Sequence, residues 1–281
     1  MRKIMSTILP LVAGVALAAV PSQETLIAHR GESADAPENT LPAYRLAVER
    51  GFGFECDIYL SADKRIFTFH DGNLSRTTDG ACTKKCSEAT WEELQKLDVG
   101  GWGRWKGTQF SPLRPALLEE VLDLARDGRT IYVEIKHTPE IVPYVKEIVH
   151  AQKTAHPGNM LFISFNREVC LELKKQLPEY RVYLLHGLKV NGEPDSPVIT
   201  AESLLAKVQG TPIDGVDVHY EPEIITEDFI RTLREAGFEF HVWTVDRLDL
   251  TLQAFARGAQ TVTTNCAQKL LEEYQVQQPR P

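Results

Sequence analysis

The sequence predicts an α/β fold, a (β/α)8 barrel with a small insertion after the hairpin that follows its second strand. Short apolar runs alternate with segments of helical periodicity from about residue 117 onwards. Eight strand-like runs centre near residues 27, 56, 133, 163, 183, 217, 242 and 262. Strands that alternate with helices form a parallel sheet, and eight such units close into a barrel.

The first unit consists of a short apolar run and the periodic segment behind it. Residues 25–28 are mostly apolar and Gly31 follows closely, which predicts a buried strand that ends near His29. Apolar residues recur at helical spacing over residues 40–50. We therefore predict a helix there, with Asn39 or Thr40 as its N-cap.

The second strand is predicted over residues 52–60. Side chains alternate along a strand, so Glu55 and Asp57 share one face and Cys56 points away from it. Taken alone, such a carboxylate pair is more typical of a solvated surface than of a site.

A hairpin is predicted after this strand. Residues 61–64 form a polar turn and residues 65–70 look like a further strand, too close to the second one for a crossover helix. If the hairpin folds about Asp63, His70 returns opposite Asp57. A single histidine at a strand end is usually structural, but here two carboxylates would share its location.

The rest of the chain supplies the remaining barrel units. We predict helices at residues 117–126, 141–154, 167–176, 203–209, 226–236, 248–257 and 268–274. We predict strands at residues 130–136, 160–165, 181–186, 215–219, 239–245 and 260–264. Residues 72–112 lack barrel periodicity and are predicted to form an insertion at the barrel mouth, with a short helix at residues 89–97. Within it, Trp102 and Trp105 either pack the insertion or form a lip over a substrate.

The active site of such a barrel lies at the C-terminal ends of its strands. Polar side chains collect at these predicted ends; they are His29, Arg30, Glu134, Lys136, Asn166, His186, His219 and Trp243. Carboxylates such as Glu55, Asp57 and Glu134 are hard ligands that suit Ca²⁺ or Mg²⁺ and not Zn²⁺. The alternative for Glu134 is a charge that Lys136 alone satisfies, because the two share a strand face.

Several ordered motifs resemble the glycerophosphodiester phosphodiesterase family over residues 25–268. They are His29-Arg30-Gly31, Pro37-Glu38-Asn39-Thr40, Glu55-Cys56-Asp57, His70-Asp71, Leu74 with Arg76-Thr77-Thr78, Val133-Glu134-Ile135-Lys136 and Trp243-Thr244-Val245. The last strand departs from the family, because Thr264-Asn265-Cys266-Ala267 stands where Thr-Asp-x-Pro is usual. We expect this departure to leave the proposed catalytic residues untouched.

The resemblance implies hydrolysis of a small-molecule glycerophosphodiester to glycerol 3-phosphate and an alcohol. It implies that His29 and His70 are the catalytic pair and that Glu55, Asp57 and Glu134 hold one divalent cation, Ca²⁺ or Mg²⁺. Cations beside a phosphodiester neutralise its oxygens, which is the role expected of Arg30 and Lys136. Trp243 either lines the substrate or packs the barrel. The nucleophile is water or the glycerol 2-hydroxyl.

Three other functions compete with this one. A lysophospholipase D would use the same site with a more apolar mouth. A catalytically silent binding barrel would lack some of the histidines and carboxylates, all of which are present. A Schiff-base enzyme would need a lysine of lowered pKa, whereas Glu134 should raise the pKa of Lys136.

Composition and the N-terminal segment suggest where the protein works. The net charge of -8 argues against nucleic acid as a partner. Residues 1–18 resemble a secretory signal peptide, with Arg2 and Lys3 before an apolar run and a small-x-small site at Ala16-Leu17-Ala18. We therefore expect an exported protein, periplasmic or secreted, with a single domain at residues 19–281, the insertion at residues 72–112 and no stable membrane anchor. We also expect a disulfide between Cys82 and Cys86; the sequence leaves the oligomeric state open.

Overall fold

The computed structural model describes residues 19–190 and 195–278. The predicted leader at residues 1–18 lies outside these described residues. They form one nine-stranded sheet in which eight strands run parallel. The strands are β1 Leu26–Ala28, β2 Gly53–Leu60, β3 Ile66–Thr68, β4 Ile131–Ile135, β5 Met160–Ser164, β6 Arg181–His186, β7 Gly215–His219, β8 Glu239–Trp243 and β9 Val262–Thr264.

The parallel strands close into a barrel. Neighbours follow the order β1-β9-β8-β7-β6-β5-β4-β2, and β1 also pairs with β2. The helices are α1 Leu41–Glu49, α2 Trp91–Leu94, α3 Leu118–Leu122, α4 Val142–Ala151, α5 Arg167–Gln176, α6 Ala201–Val208, α7 Glu227–Glu235, α8 Leu248–Ala256 and α9 Ala267–Gln277. The predicted (β/α)8 barrel is confirmed, and each of its eight predicted parallel strands lies where the alternation placed it.

Two layers of apolar side chains hold the barrel together. The larger layer lies between the strands and the surrounding helices, and it contains Leu26, Cys56, Val133 and Phe162. The smaller layer fills the barrel interior; it consists of Ile27, Tyr132, Leu161, Ile163, Tyr183 and Leu185, with Trp243 packed against it. Because side chains alternate along β2, Cys56 points towards the helices, whereas Glu55 and Asp57 point into the barrel interior.

The hairpin formed by β2 and β3 differs in register from the prediction. Ile58 pairs with Thr68, and the Phe69 backbone N–H donates to the Asp57 carbonyl oxygen at 3.0 Å. The ladder is centred on Asp63, so the numbers of paired residues sum to 126. Phe69, and not His70, therefore lies opposite Asp57. The strand also ends at Thr68, two residues earlier than predicted, which frees His70 from the ladder.

The predicted insertion has a core of its own. Its buried apolar residues Leu74, Cys86, Ala89, Leu94 and Val99 pack together with Phe67 and Phe69 of the preceding hairpin. The predicted disulfide is wrong for this structure, because Cys82 and Cys86 are both free thiols. The Cys86 side chain turns into this core and its thiol donates to the Asp71 carbonyl oxygen at 3.2 Å. Among the described residues, no helix combines the length and apolar character needed to cross a membrane.

Candidate active site

Three buried carboxylates lie at the centre of the site. Glu55 and Asp57 lie on β2, and Glu134 lies on β4 directly beside Asp57 in the parallel register. One oxygen of each carboxylate lies within 4.8 Å of those of the other two. The three residues are between 0% and 8% exposed. The period-2 alternation that places Glu55 and Asp57 on one face thus produces a cluster and not a solvated surface.

Asn39 holds Asp57 in place. Its Nδ2 donates to Asp57 Oδ2 at 2.7 Å, and its Oδ1 accepts from the Asp57 backbone N–H at 3.0 Å. The Tyr44 hydroxyl donates to the same Oδ1 at 2.7 Å. Asn39 has φ 56°, a left-handed conformation that Asn adopts more readily than most residues. Thr40 is the N-cap of α1, so the alternative cap at Asn39 is wrong and Asn39 serves the site.

Two cations balance part of the carboxylate charge. Lys136 Nζ lies 2.8 Å from Glu134 Oε1 and 3.2 Å from Asp57 Oδ1, and Arg30 Nε lies 3.4 Å from Asp57 Oδ2. Burial opposes ionisation of Asp57, but Lys136 and Arg30 outweigh it and hold its pKa below the usual range. Burial together with the charge of Asp57 raises the pKa of Glu134 to about 8. Burial and the same charge raise the pKa of Glu55 as well.

This donor set suits a hard divalent cation. Glu55 Oε2 accepts from the Arg30 backbone N–H at 2.9 Å, but Glu55 Oε1 is buried and accepts no hydrogen bond from the described residues. Carboxylates this close repel one another unless a positive charge lies between them. Ca²⁺ and Mg²⁺ take oxygen ligands of this kind. Glu55, Asp57 and Glu134 therefore fit the predicted ion.

His29 is oriented by a chain of two residues from the barrel's last turns. Asn265 Nδ2 donates to Asp246 Oδ2 at 2.7 Å, which turns Asn265 Oδ1 towards His29. His29 Nδ1 lies 2.7 Å from that oxygen and therefore donates to it. The expectation that the departure at Asn265 leaves the catalytic residues untouched is wrong, because the side chain that departs is the hydrogen-bond partner of His29.

His70 is oriented in the same way by a carboxylate. Its Nδ1 donates to Asp71 Oδ1 at 2.7 Å, and Arg76 Nε donates to Asp71 Oδ2 at 2.7 Å. Arg76 also donates to Glu38, which accepts from Arg30 at 2.8 Å. The insertion residue Arg76 thus links His70 to the end of β1.

Both histidines present Nε2 as their free nitrogen. Burial lowers the pKa of His29 to about 4, and the positive charge of Arg30 adds to the effect. Burial also lowers the pKa of His70, again with a contribution from Arg30. These shifts favour the neutral form of each ring in the free enzyme. Because each Nδ1 donates to an oxygen, each Nε2 carries the lone pair, and His29 Nε2 lies 3.9 Å from Glu55 Oε2.

The predicted residues surround one cavity of about 180 Å³. Seven of them line it; they are His29, Arg30, Glu55, His70, Glu134, Lys136 and Trp243. Asp57, the eighth, is fully buried and contacts the cavity's two cations. Of the other polar residues at strand ends, Asn166 caps α5 and His186 hydrogen-bonds to the Gly187 carbonyl oxygen.

Trp243 both packs the barrel and lines the cavity. Its ring stacks on His219 with centroids 5.1 Å apart and meets Phe165 edge-on at 5.6 Å. Its Nε1 donates to the Asp217 carbonyl oxygen at 3.2 Å. Phe165 is 50% exposed and extends this aromatic surface to the rim.

Trp102 and Trp105 lie outside this cavity. They line a wider cleft of about 680 Å³ between the insertion and the turn after β9. Arg76 lies over the Trp102 ring at 5.0 Å, and Arg104 lies over the Trp105 ring at 4.4 Å. Of the two predicted alternatives, the contacts therefore favour packing of the insertion.

The chain matches the family model for the glycerophosphoryl diester phosphodiesterase family over residues 29–269. The match covers well over half of the 281 residues. The chain belongs to this family. The resemblance carried by the histidine and carboxylate motifs is therefore confirmed, and so is the predicted enzyme class, a phosphodiesterase.

Similar proteins within the phosphodiesterase family include bacterial members. A glycerophosphodiester phosphodiesterase from Caldanaerobacter subterraneus is 27% identical over 250 residues, covering 88% of this chain and 96% of its own. A phosphodiesterase from Oleispira antarctica, solved in complex with the product sn-glycerol-3-phosphate, is 25% identical with a TM-score of 0.73 and covers 89% of this chain and 96% of its own. A glycerophosphodiester phosphodiesterase from Thermotoga maritima is 25% identical with a TM-score of 0.68, and the match covers 89% and 97% of the two chains.

The sequence does not reveal every residue that builds this phosphodiesterase site. Asn39 and Asn265 lie in the quoted motifs, but their roles in holding Asp57 and His29 do not follow from the sequence, and no motif marks Asp246. Asp217 lines the cavity from β7 and has no motif around it. The only feature of the sequence that indicates Asp217 is the alternation of side chains along the predicted strand at residues 215–219, which places it inside the barrel.

Proposed function

We propose that this enzyme hydrolyses glycerophosphodiesters to glycerol 3-phosphate and an alcohol, with a divalent cation and two histidines. One observation carries the proposal. His29 and His70 line the same cavity as Glu55 and Glu134, and each has its Nδ1 held by an acceptor, which leaves Nε2 for proton transfer. Two oriented proton carriers beside a carboxylate cluster suit displacement at a phosphodiester.

The charged groups would bind the phosphodiester. Arg30 and Lys136 line the cavity and lie against Asp57 and Glu134. Glu55, Asp57 and Glu134 would hold the cation. When bound, it would supply a Lewis acid for the phosphoryl oxygens. Arg30 and Lys136 would stabilise the negative charge that develops on the same oxygens in the transition state.

The histidines would divide the proton transfers. One Nε2 takes the proton of the attacking hydroxyl as its oxygen bonds to phosphorus. The other, protonated, gives its proton to the alcohol oxygen as the second phosphorus–oxygen bond breaks. Two nucleophiles are consistent with these proton transfers. One is water, which gives glycerol 3-phosphate directly. The other is the glycerol 2-hydroxyl, which forms a cyclic phosphate that water then opens.

The lysine does not suit Schiff-base chemistry. Burial opposes protonation of Lys136, but Asp57 and Glu134 outweigh it and raise its pKa. A lysine that forms Schiff bases needs its neutral form at working pH. The electrostatics around Lys136 therefore favour an anion-binding role.

Product analysis tests the proposal. The purified enzyme would be incubated with a panel of glycerophosphodiesters that differ in the alcohol, and the products would be separated. We expect glycerol 3-phosphate from each diester that is turned over. Free glycerol with a phosphorylated alcohol would mean that the opposite bond breaks. Binding without turnover of any diester would support the silent barrel.

A further inference from the structure

Asp217 lies in the barrel interior at the floor of the active-site cavity. It is the central residue of β7, where it pairs with Leu185 of β6 and His241 of β8. Leu185 belongs to the interior apolar layer, and the His241 ring stacks on Tyr183 of the same layer with centroids 4.4 Å apart. Asp217 lines the same cavity as the histidines and Glu134.

The Asp217 carboxylate has no hydrogen-bond partner among the described residues. The residue is 1% exposed, and its Oδ1 accepts no hydrogen bond. Only the Asp217 backbone receives a side-chain hydrogen bond from the described residues, because its carbonyl oxygen accepts from Trp243 Nε1. Burial of a polar group without a hydrogen-bond partner destabilises the folded protein, and more so if the group is charged. Asp57, in contrast, is equally buried but has Asn39, Lys136 and Arg30.

Asp217 is not a member of the carboxylate cluster. The atoms that lie within 4.8 Å of one another belong to Glu55, Asp57 and Glu134. The two cations of the cavity, Arg30 and Lys136, already lie against members of that cluster. The other residues that line the cavity include apolar ones, Ile163 and Leu185. Asp217 therefore offers a carboxyl group to the cavity beside the apolar Leu185, its neighbour on β6.

We propose that Asp217 binds a hydroxyl of the glycerol moiety and so selects polyol phosphodiesters over diesters without hydroxyls. This inference rests on the proposed function, because it takes the phosphodiester to lie against Arg30 and Lys136. A neutral hydroxyl is the donor that fits. A hydroxyl can pair with the buried carboxyl without bringing a further charge into the barrel, and a cavity of about 180 Å³ leaves room for a short polyol beside the phosphate.

A site that hydrogen-bonds a substrate hydroxyl rejects analogues that lack it, because the buried acceptor is then left unpaired. Asp217 would apply this discrimination to the glycerol hydroxyls. It would also fix which end of the diester enters the barrel, since the alcohol that leaves need not reach the floor. The hydroxyl of a bound polyol would supply the hydrogen-bond partner that the Asp217 carboxyl lacks in the free enzyme.

The test compares two ligands that differ only in their hydroxyls. Binding of glycerol 3-phosphate and of propyl phosphate would be measured by calorimetry on Ca²⁺-loaded enzyme, for wild type, Asp217→Asn and Asp217→Leu. Both ligands carry the same phosphate, so the ratio of their dissociation constants isolates the hydroxyls. The ratio does not depend on whether water or the 2-hydroxyl is the nucleophile.

We expect wild type to bind glycerol 3-phosphate about 10- to 100-fold more tightly than propyl phosphate. Asp217→Leu should lose this preference while its affinity for propyl phosphate stays within about threefold. Asp217→Asn, which keeps an acceptor oxygen, should retain part of the preference. Melting temperatures at or above that of wild type would show that both variants fold.

An unchanged preference in Asp217→Leu would overturn the inference and leave the proposed function intact, provided that wild type still releases glycerol 3-phosphate. Equal loss of affinity for both ligands would also overturn it, because the residue would then act on the shape of the cavity. Failure of wild type to bind either ligand and to turn over any diester would overturn both proposals together.

Discussion

At the scale of single residues, the site depends on side chains that hold others in place. His29 and His70 each have an oxygen acceptor at 2.7 Å from Nδ1, but the acceptors differ in charge. Asp71 is a carboxylate, whereas Asn265 is an amide that Asp246 orients at 2.7 Å. The family pattern usually has an aspartate at the position of Asn265. The negative charge behind His29 is therefore one residue further away.

The two histidines themselves provide the first prediction. His29→Ala and His70→Ala should each lower kcat by about 10²-fold or more, because a positioned general acid or base contributes about 10²–10⁴-fold. The rate of glycerol 3-phosphate release would be measured at saturating diester. His150→Ala is the matched control, since His150 is exposed on α4 and 3.9 Å from Glu179. Near-normal turnover in either active-site variant would remove that histidine from the mechanism.

Asn265 provides the second prediction. Asn265→Ala removes the acceptor that orients His29, and comparable orienting partners contribute about 10- to 100-fold to activity. We expect kcat to fall by about that factor with a smaller change in KM, whereas Asn265→Asp, which keeps an acceptor for His29 but loses the donor to Asp246, should retain more activity than Asn265→Ala. Steady-state kinetics on the two variants make the comparison. Equal activity in Asn265→Ala and wild type would show that His29 needs no orienting partner.

At the scale of elements, strands and helices follow from the sequence more readily than loops do. The alternation of apolar runs with helical periodicity predicts β4 to β9 and the helices between them, because every unit repeats the same burial pattern. The predicted turn about Asp63 is correct, but that centre places Phe69 and not His70 opposite Asp57. Hydrophobicity also does not determine where the ladder ends. The insertion is harder still. Nothing in its composition shows that Cys86 faces an apolar core while Arg76 reaches Asp71 and Glu38.

The insertion provides the third prediction, on substrate size. A lysolipid needs an apolar channel, at about 0.8 kcal/mol for each buried CH₂. The insertion's large apolar residues pack on one another, and arginines lie over the rings of Trp102 and Trp105. We therefore expect higher kcat/KM for glycerophosphocholine or glycerophosphoethanolamine than for the matching lysophospholipids. The assay would keep lysolipid concentrations below micelle formation. A higher value for the lysolipid would favour the lysophospholipase D alternative.

At the scale of the whole molecule, one barrel brings together residues that lie far apart in the chain. His29, Glu134 and Asn265 come from the ends of β1, β4 and β9, and closure of the barrel between β1 and β9 puts the first and last of them in contact. The sequence predicts this convergence because active sites of such barrels form at the C-terminal strand ends. It does not predict partners such as Asn39 and Asp217, whose importance depends on side-chain directions.

Export is the fourth prediction. We propose that residues 1–18 are removed and that the mature protein acts outside the cytoplasm. The basis is Arg2 and Lys3 ahead of an apolar run and the small residues at Ala16 and Ala18. Mass spectrometry of the protein from fractionated cells should find an N-terminus near Ala19 in the exported fraction. An intact Met1 terminus on the cellular protein would contradict the proposal.

The proposed requirement for a divalent cation can be tested by metal titration. Exhaustively metal-stripped enzyme would be assayed for glycerol 3-phosphate release while Ca²⁺ or Mg²⁺ is added, in parallel with Glu134→Gln. Glu55 Oε1, buried without a partner, and the two carboxylates beside it predict the outcome. Stripped wild type should be inactive and recover with one of the two ions, and Glu134→Gln should need a higher concentration of it. Full activity of the stripped enzyme would show that the reaction does not require a divalent cation.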